Sequence, residues 1–181
     1  MEALLLHAFP SSVAHDLAEL SRLDWTTRHG AAEPYVVQVD GETMQVPRRI
    51  HFDTRLLEQA SRLSPRHKRL ALYFFTRHND GFVRQACLEE VIGVCEPWQP
   101  PYVLHLLGEA VVEIIEVIHK HLDSLDREIY ARFIRTNMSF YETIRHRVRS
   151  YWDAYYRARY PVYASYPGAL VIAELDRLIS S

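Results

Sequence analysis

Along most of the chain apolar positions recur every three or four residues, the period of a helix packed on one side. "PSSVAHDLAELSRLDW" puts Val13, Leu17, Leu20 and Trp25 near that spacing, with Ser11 or Ser12 as the expected N-cap. A loop holding Gly30 and Pro34 follows, and then the period changes to two. "YVVQVDGETMQVP" sets two β-prone runs on either side of Asp40-Gly41, a dipeptide that tolerates the positive φ of a two-residue hairpin turn. Tyr35, Val37 and Val39 share one face of the expected ribbon, and Pro47 suggests an unpaired edge at its end.

After Asp53 the pattern is helical to the end. "DTRLLEQASRL" is short, with Asp53 as its cap. "SPRHKRLALYFFTRH" opens on Ser64 as N-cap and Pro65 at the first helical position, where a missing N–H costs nothing. "NDG" breaks the chain, Asp80 or Asn79 being placed to cap the next helix, "DGFVRQACLEEVIGV". Pro97 and Pro100-Pro101 punctuate a fresh start. "YVLHLLGEAVVEIIEVIHKHL" is apolar around most of its circumference and predicts one continuous central helix. Gly108 interrupts it at a cost of about 1 kcal/mol against Ala, so a close neighbour is expected there.

The densest pattern is "RHRVRSYWDAYYRARYP", residues 145–161. On a wheel of about 100° per residue, Val148, Tyr151, Tyr155 and Ala158 lie close to the line of Ile144. Ile129, Tyr130, Phe133, Phe140 and Tyr141 continue the stripe upstream. One long helix or two collinear ones are predicted over about 129–158, with Tyr151 and Tyr155 in the core and a kink near Asn137. Arg145, Arg149, Trp152, Tyr156 and Tyr160 form a separate flank. Such a strip could hold an anion and stack on planar groups, or simply be a second packing face with each arginine stem covering apolar surface.

Residues 91–123 carry five acids against Lys120, a net of −4, and residues 124–160 carry eight arginines against four acids, a net of +4. "LDSLD" joins them, so an antiparallel hairpin is expected, bringing Glu113 near Arg135 and Glu116 near Arg132. A counter-charge of this kind weakens the pull on a polyanion, since only unneutralised charge contributes much.

The stretch 64–94 resembles a single HEAT repeat. Asp80, Val83, Arg84 and Ala86 approach the Asp-x-x-Val-Arg-x-x-Ala opening of that family's second helix, with Ala one position early. The resemblance implies a helix pair joined by a tight turn.

Chemistry-bearing patterns are few. Glu116-Val117-Ile118-His119 has the Glu-x-x-His spacing of di-iron bundles, but one copy lacks the second motif and further carboxylates such sites need. His105 and Glu109 are one turn apart and could meet. Phosphate loops, zinc-protease motifs and nucleophile elbows do not occur. Cys87 and Cys95 sit about 12 Å apart on helical rise, too far for a disulfide, and read as buried thiols of a reducing compartment.

Composition adds limits. The 181 residues, 48% hydrophobic and 24% charged, suit an ordinary globular chain rather than a disordered one. A net charge of −2 gives no global attraction to nucleic acid or an anionic membrane. No signal peptide or membrane span is evident, and a cytoplasmic location is expected.

The sequence therefore predicts a mainly α fold, one compact domain over 1–181. It has six or seven helices, HEAT-like hairpins, a β-hairpin near 35–46 within an insertion over 35–52, and a long central helical hairpin over 98–160. The expected function is that of a non-enzymatic protein-interaction module, adaptor- or immunity-like, without cofactor or membrane, its partner another protein or a second copy. The alternatives are a nucleic-acid or phospho-ligand binder using Arg145, Arg149, Trp152, Tyr156 and Tyr160, and a metal-dependent bundle enzyme using Glu116 and His119.

Overall fold

The computed structural model describes residues 2–25 and 33–180; Gly30 of the expected loop lies outside them. The fold is mainly helical, with one two-stranded antiparallel hairpin. Ten α-helices occur among the described residues, not six or seven. The excess comes from Glu2–His7 and Pro167–Ser180, which lie outside the runs named above, and from the run 102–122, which the chain breaks in two. The chain divides into two compact units, Met1–Val91 and Ile92–Ser181.

The first unit holds α1 (Glu2–His7), α2 (Ala14–Ser21), β1 (Pro34–Val39), β2 (Glu42–Pro47), α3 (Arg55–Ser61), α4 (Pro65–Phe75) and α5 (Gly81–Val91). The hairpin turns on Asp40 and Gly41, whose φ of 49° and 85° are the two positive values a type I′ turn requires. Tyr35, Val37 and Val39 are buried as the alternation demands, opposite buried Met44 and Val46. No serine caps the start of α2. Ser11 instead donates from both its N–H and its hydroxyl to the Glu42 carboxylate at 2.8 Å, tying the N-terminal segment to β2. Ser64 does cap α4, and Asp53 accepts from the Arg55 N–H ahead of α3.

The last six residues of α4, Leu70 to Phe75, are all buried. Phe74 and Phe75 meet Trp25 edge-on at 5.5 and 5.7 Å, and Phe52 closes on Phe75 at 4.7 Å. Segment 48–53 is held to the turn after α4 by a parallel bridge between Ile50 and His78.

The second unit holds α6 (Pro100–Leu107), α7 (Val112–Lys120), α8 (Arg127–Thr136), α9 (Met138–Tyr151) and α10 (Pro167–Ser180). Three expectations are corrected here. The run 102–122 is two helices, because the chain leaves helical geometry between Gly108 and Val111. Gly108 does mark a close approach: a Cβ there would stand 2.8 Å from Ile144 Cδ1. The expected pairing of α7 with α8 is replaced by packing of both on α10. Glu116 accordingly pairs with Arg159 at 2.7 Å, while Arg135 donates to the carbonyl of Leu178 at the end of α10. The interruption at Asn137 is present: its amide donates to the Phe133 carbonyl at 2.9 Å and separates α8 from α9.

Among the described residues no helix is long and apolar enough to cross a membrane.

Candidate functional site: the π-turn after α9

The segment that carries the arginines and aromatics does not continue as an α-helix. α9 passes into a π-turn at Trp152–Tyr156, which takes up one extra residue, so every later position lags one step on the wheel. Val148, Trp152, Tyr156 and Tyr160 are spaced four apart and would drift off an α-helical stripe by about 40° per step. The extra residue restores them. Tyr155, expected in the core, is 66% exposed, and Tyr156 takes the inward place. Tyr151, also expected in the core, is only half-buried and stacks on Tyr155 at 6.1 Å.

The inward row is bonded in detail. Trp152 is buried, and its indole N–H donates to the Tyr160 carbonyl at 2.8 Å. The Tyr156 hydroxyl donates to the Ala110 carbonyl and accepts from the Val112 N–H at 3.3 Å, which clips the break between α6 and α7. Its ring stacks on buried Tyr166 at 5.6 Å. The Tyr160 hydroxyl donates to Glu116 at 2.9 Å. Burial, with Glu116 added at Tyr160, raises the pKa of both phenols, so both stay neutral donors at neutral pH. Of the five flank residues, Trp152, Tyr156 and Tyr160 are therefore consumed by internal contacts, and the flank is in large part the second packing face.

The arginines differ from one another. Arg145 is half-buried and pairs with Glu142 at 2.8 Å and Asp176 at 3.4 Å. Burial opposes its charge, but these two carboxylates outweigh burial and raise its pKa. Asp176 also accepts from the Tyr141 hydroxyl at 2.8 Å. Arg157 pairs with Asp153, and Arg159 with Glu116. Arg149 meets rings instead. Its guanidinium lies over Tyr163 at 4.3 Å and over Trp152 at 4.8 Å, with its side chain exposed. Its neighbours line a groove of about 400 Å³ between α9 and α10, floored by Ala169, Ile172 and Ala173.

The other candidates separate in space. His119 is exposed, and its neighbour Glu116 is occupied by Arg159 and Tyr160. No group of three or more metal-ligating side chains occurs among the described residues. His105 and Glu109 do meet, buried, at 3.6 Å. Cys87 is buried with its thiol pushed up to about 12 by desolvation, which suits an inert residue. Cys95 is exposed, contrary to expectation, because it lies beyond the end of α5.

In the first unit, the Arg77-His78-Asn79-Asp80 turn is structural as expected. Asp80 accepts from the Phe82 N–H at 2.8 Å and caps α5, and buried Arg84 donates to the carbonyls of His78 and Asn79. His78 Nδ1 accepts from the Asp80 N–H, so Nε2 carries the proton and donates to the Phe52 carbonyl at 3.2 Å. Burial lowers its pKa below the ordinary histidine value.

Sequence reasoning missed Tyr155 as a surface residue, and it missed Tyr163, Glu142 and Asp176 as neighbours of the arginines. The strict spacing of four in 148–160 was the available signal for Tyr155. Glu142 stands one turn before Arg145 on α9, a spacing that could have shown it, whereas Tyr163 and Asp176 come from other elements and leave no local trace. No protein-family model, curated protein or solved structure matches the chain.

Proposed function

We propose that this chain is a non-enzymatic protein-interaction module that docks a partner on the outer face of the π-turn. The observation that carries the reading is Tyr155, two-thirds exposed and stacked on Tyr151. A large ring held in one orientation at the surface loses little freedom on binding, and Tyr, Trp and Arg are the residues enriched at binding hot spots. Arg149, Arg157 and Arg159 surround it in sequence. The ion pairs of Arg145, Arg157 and Arg159 favour a protein over a nucleic acid, because they leave little free positive charge to displace counterions. The α4–α5 hairpin, with its HEAT-like opening, is read as a lone repeat-like scaffold of the same interaction class. Two free thiols suit a cytoplasmic setting.

The test is a photo-crosslinking residue at position 155 of the full chain, with position 40 at the hairpin tip as an exposed control. A discrete adduct at 155 that is absent at 40 and lost with Tyr151→Ala is expected. Equal, diffuse labelling at both positions overturns the reading.

A further inference from the structure

We propose that the groove between α9 and α10 is a receptor for a single carboxylate, an Asp or Glu side chain on an amphipathic segment of the partner protein, with Arg149 as the recognising group. This rests on the interaction-module reading above and adds to it the chemistry that the partner must present.

The argument begins with Arg149 itself. The Arg149 guanidinium carbon lies 4.8 Å from the centre of the Trp152 ring and 4.3 Å from that of Tyr163, and both ring quadrupoles attract it. Among the described residues no acid pairs with Arg149, so its N–H fork, which matches a carboxylate, is open to another partner. The neighbouring Arg145, Arg157 and Arg159 all direct that fork at acids of this chain, whereas the contacts of Arg149 are with Trp152 and Tyr163. Arg149 is thus oriented, exposed and held ready.

The rest of the groove selects the ligand. It contains two arginines, Arg145 and Arg149, and two carboxylates, Glu142 and Asp176, with His146 at its edge. Arg145 pairs with both carboxylates, so Arg149 is the cation of the groove without an acid of this chain, and the four charges sum to zero. That balance suits a monoanion. A single carboxylate adds one negative charge to this neutral groove, whereas a phosphate dianion or a run of nucleic-acid phosphates adds two or more beside Glu142 and Asp176. The floor of Ala169, Ile172 and Ala173 is apolar and small, which fits an aliphatic residue next to the acid. A short segment with an acid beside an aliphatic side chain meets both demands.

The experiment pans a random 12-residue peptide library on the immobilised full chain, and then measures the recovered peptides by calorimetry against the wild type and Arg149→Gln. Expected are peptides that share an acidic position. Its change to Asn or Gln weakens binding to the wild type about tenfold, but to Arg149→Gln less than twofold. Arg149→Lys, which keeps the charge without the planar fork, is expected to lose binding as well. Recovered peptides with no acidic position, or an acid whose loss is felt equally by both proteins, overturn the carboxylate site and leave the docking reading intact. Phenyl phosphate displacing the peptides more strongly than acetate also overturns it. Failure to recover any binder removes both readings. Since Arg149 is exposed, thermal unfolding of Arg149→Gln within a few degrees of the wild type is the check that the variant remains folded.

Discussion

The π-turn makes an unusual demand on two adjacent tyrosines, and their truncation tests it directly. Tyr156 has an inward ring stacked on Tyr166 and a hydroxyl bonded to Ala110 and Val112. Removing the hydroxyl alone, in Tyr156→Phe, forfeits two hydrogen bonds and leaves a carbonyl and an N–H at the α6–α7 break unsatisfied, a cost of about 1–3 kcal/mol. Tyr156→Ala also loses the stacked pair, about 0.5–1.5 kcal/mol, and apolar burial, so about 3–4 kcal/mol is expected in total. Tyr155→Ala removes an exposed ring whose main contact is Tyr151, and should cost under about 1 kcal/mol. Urea unfolding followed by circular dichroism gives all three values, provided the m-values stay equal. An uninterrupted α-helix reverses the order, with Tyr155→Ala the damaging change. That result would falsify the register argued here, and with it the exposure on which the docking face depends.

Gly168→Ala is expected to destabilise by about 1–3 kcal/mol in the same assay, because the new Cβ would stand 2.7 Å from the Tyr166 ring and 2.9 Å from Val148 Cγ1; no loss means that α10 can retreat. Acidification should weaken the protein through His78. Its folded pKa is depressed, so between that value and the ordinary 6.5 the unfolded chain binds more protons, and stability present above 6.5 falls as pH drops. His78→Gln should flatten that part of the stability–pH curve relative to the wild type, and an unchanged slope contradicts the assignment. A disulfide reagent at pH 8 should modify one thiol, Cys95, within minutes, and reach Cys87 only after denaturant is added; rapid reaction of both means that α5 is not packed as described.

The features legible from the residues alone are those whose physics is local. Asp40-Gly41 specified its turn because few residues accept two positive φ values, and the period of two then placed Tyr35, Val37 and Val39 inward. Ser64-Pro65 and Asp80 marked helix starts, since a side chain or a proline at a helix N-terminus acts within three residues of itself. Gly108 and Asn137 were legible as flaws in otherwise regular runs, although Gly108 ended a helix that looked continuous because apolarity all round gives no sign of where a backbone turns. The candidate site, by contrast, depends on long-range packing. A π-turn exchanges one backbone hydrogen-bond pattern for another at a cost repaid only by contacts elsewhere, here the reach of Tyr156 to the α6–α7 break and of Trp152 to the Tyr160 carbonyl. The partners of the arginines were also fixed at a distance. α10 lies against both α7 and α8, so Glu116 met Arg159 rather than Arg132, and Asp176 came within reach of Arg145. Helical periodicity records which way each residue faces, and it holds no information on which helix will be there to meet it.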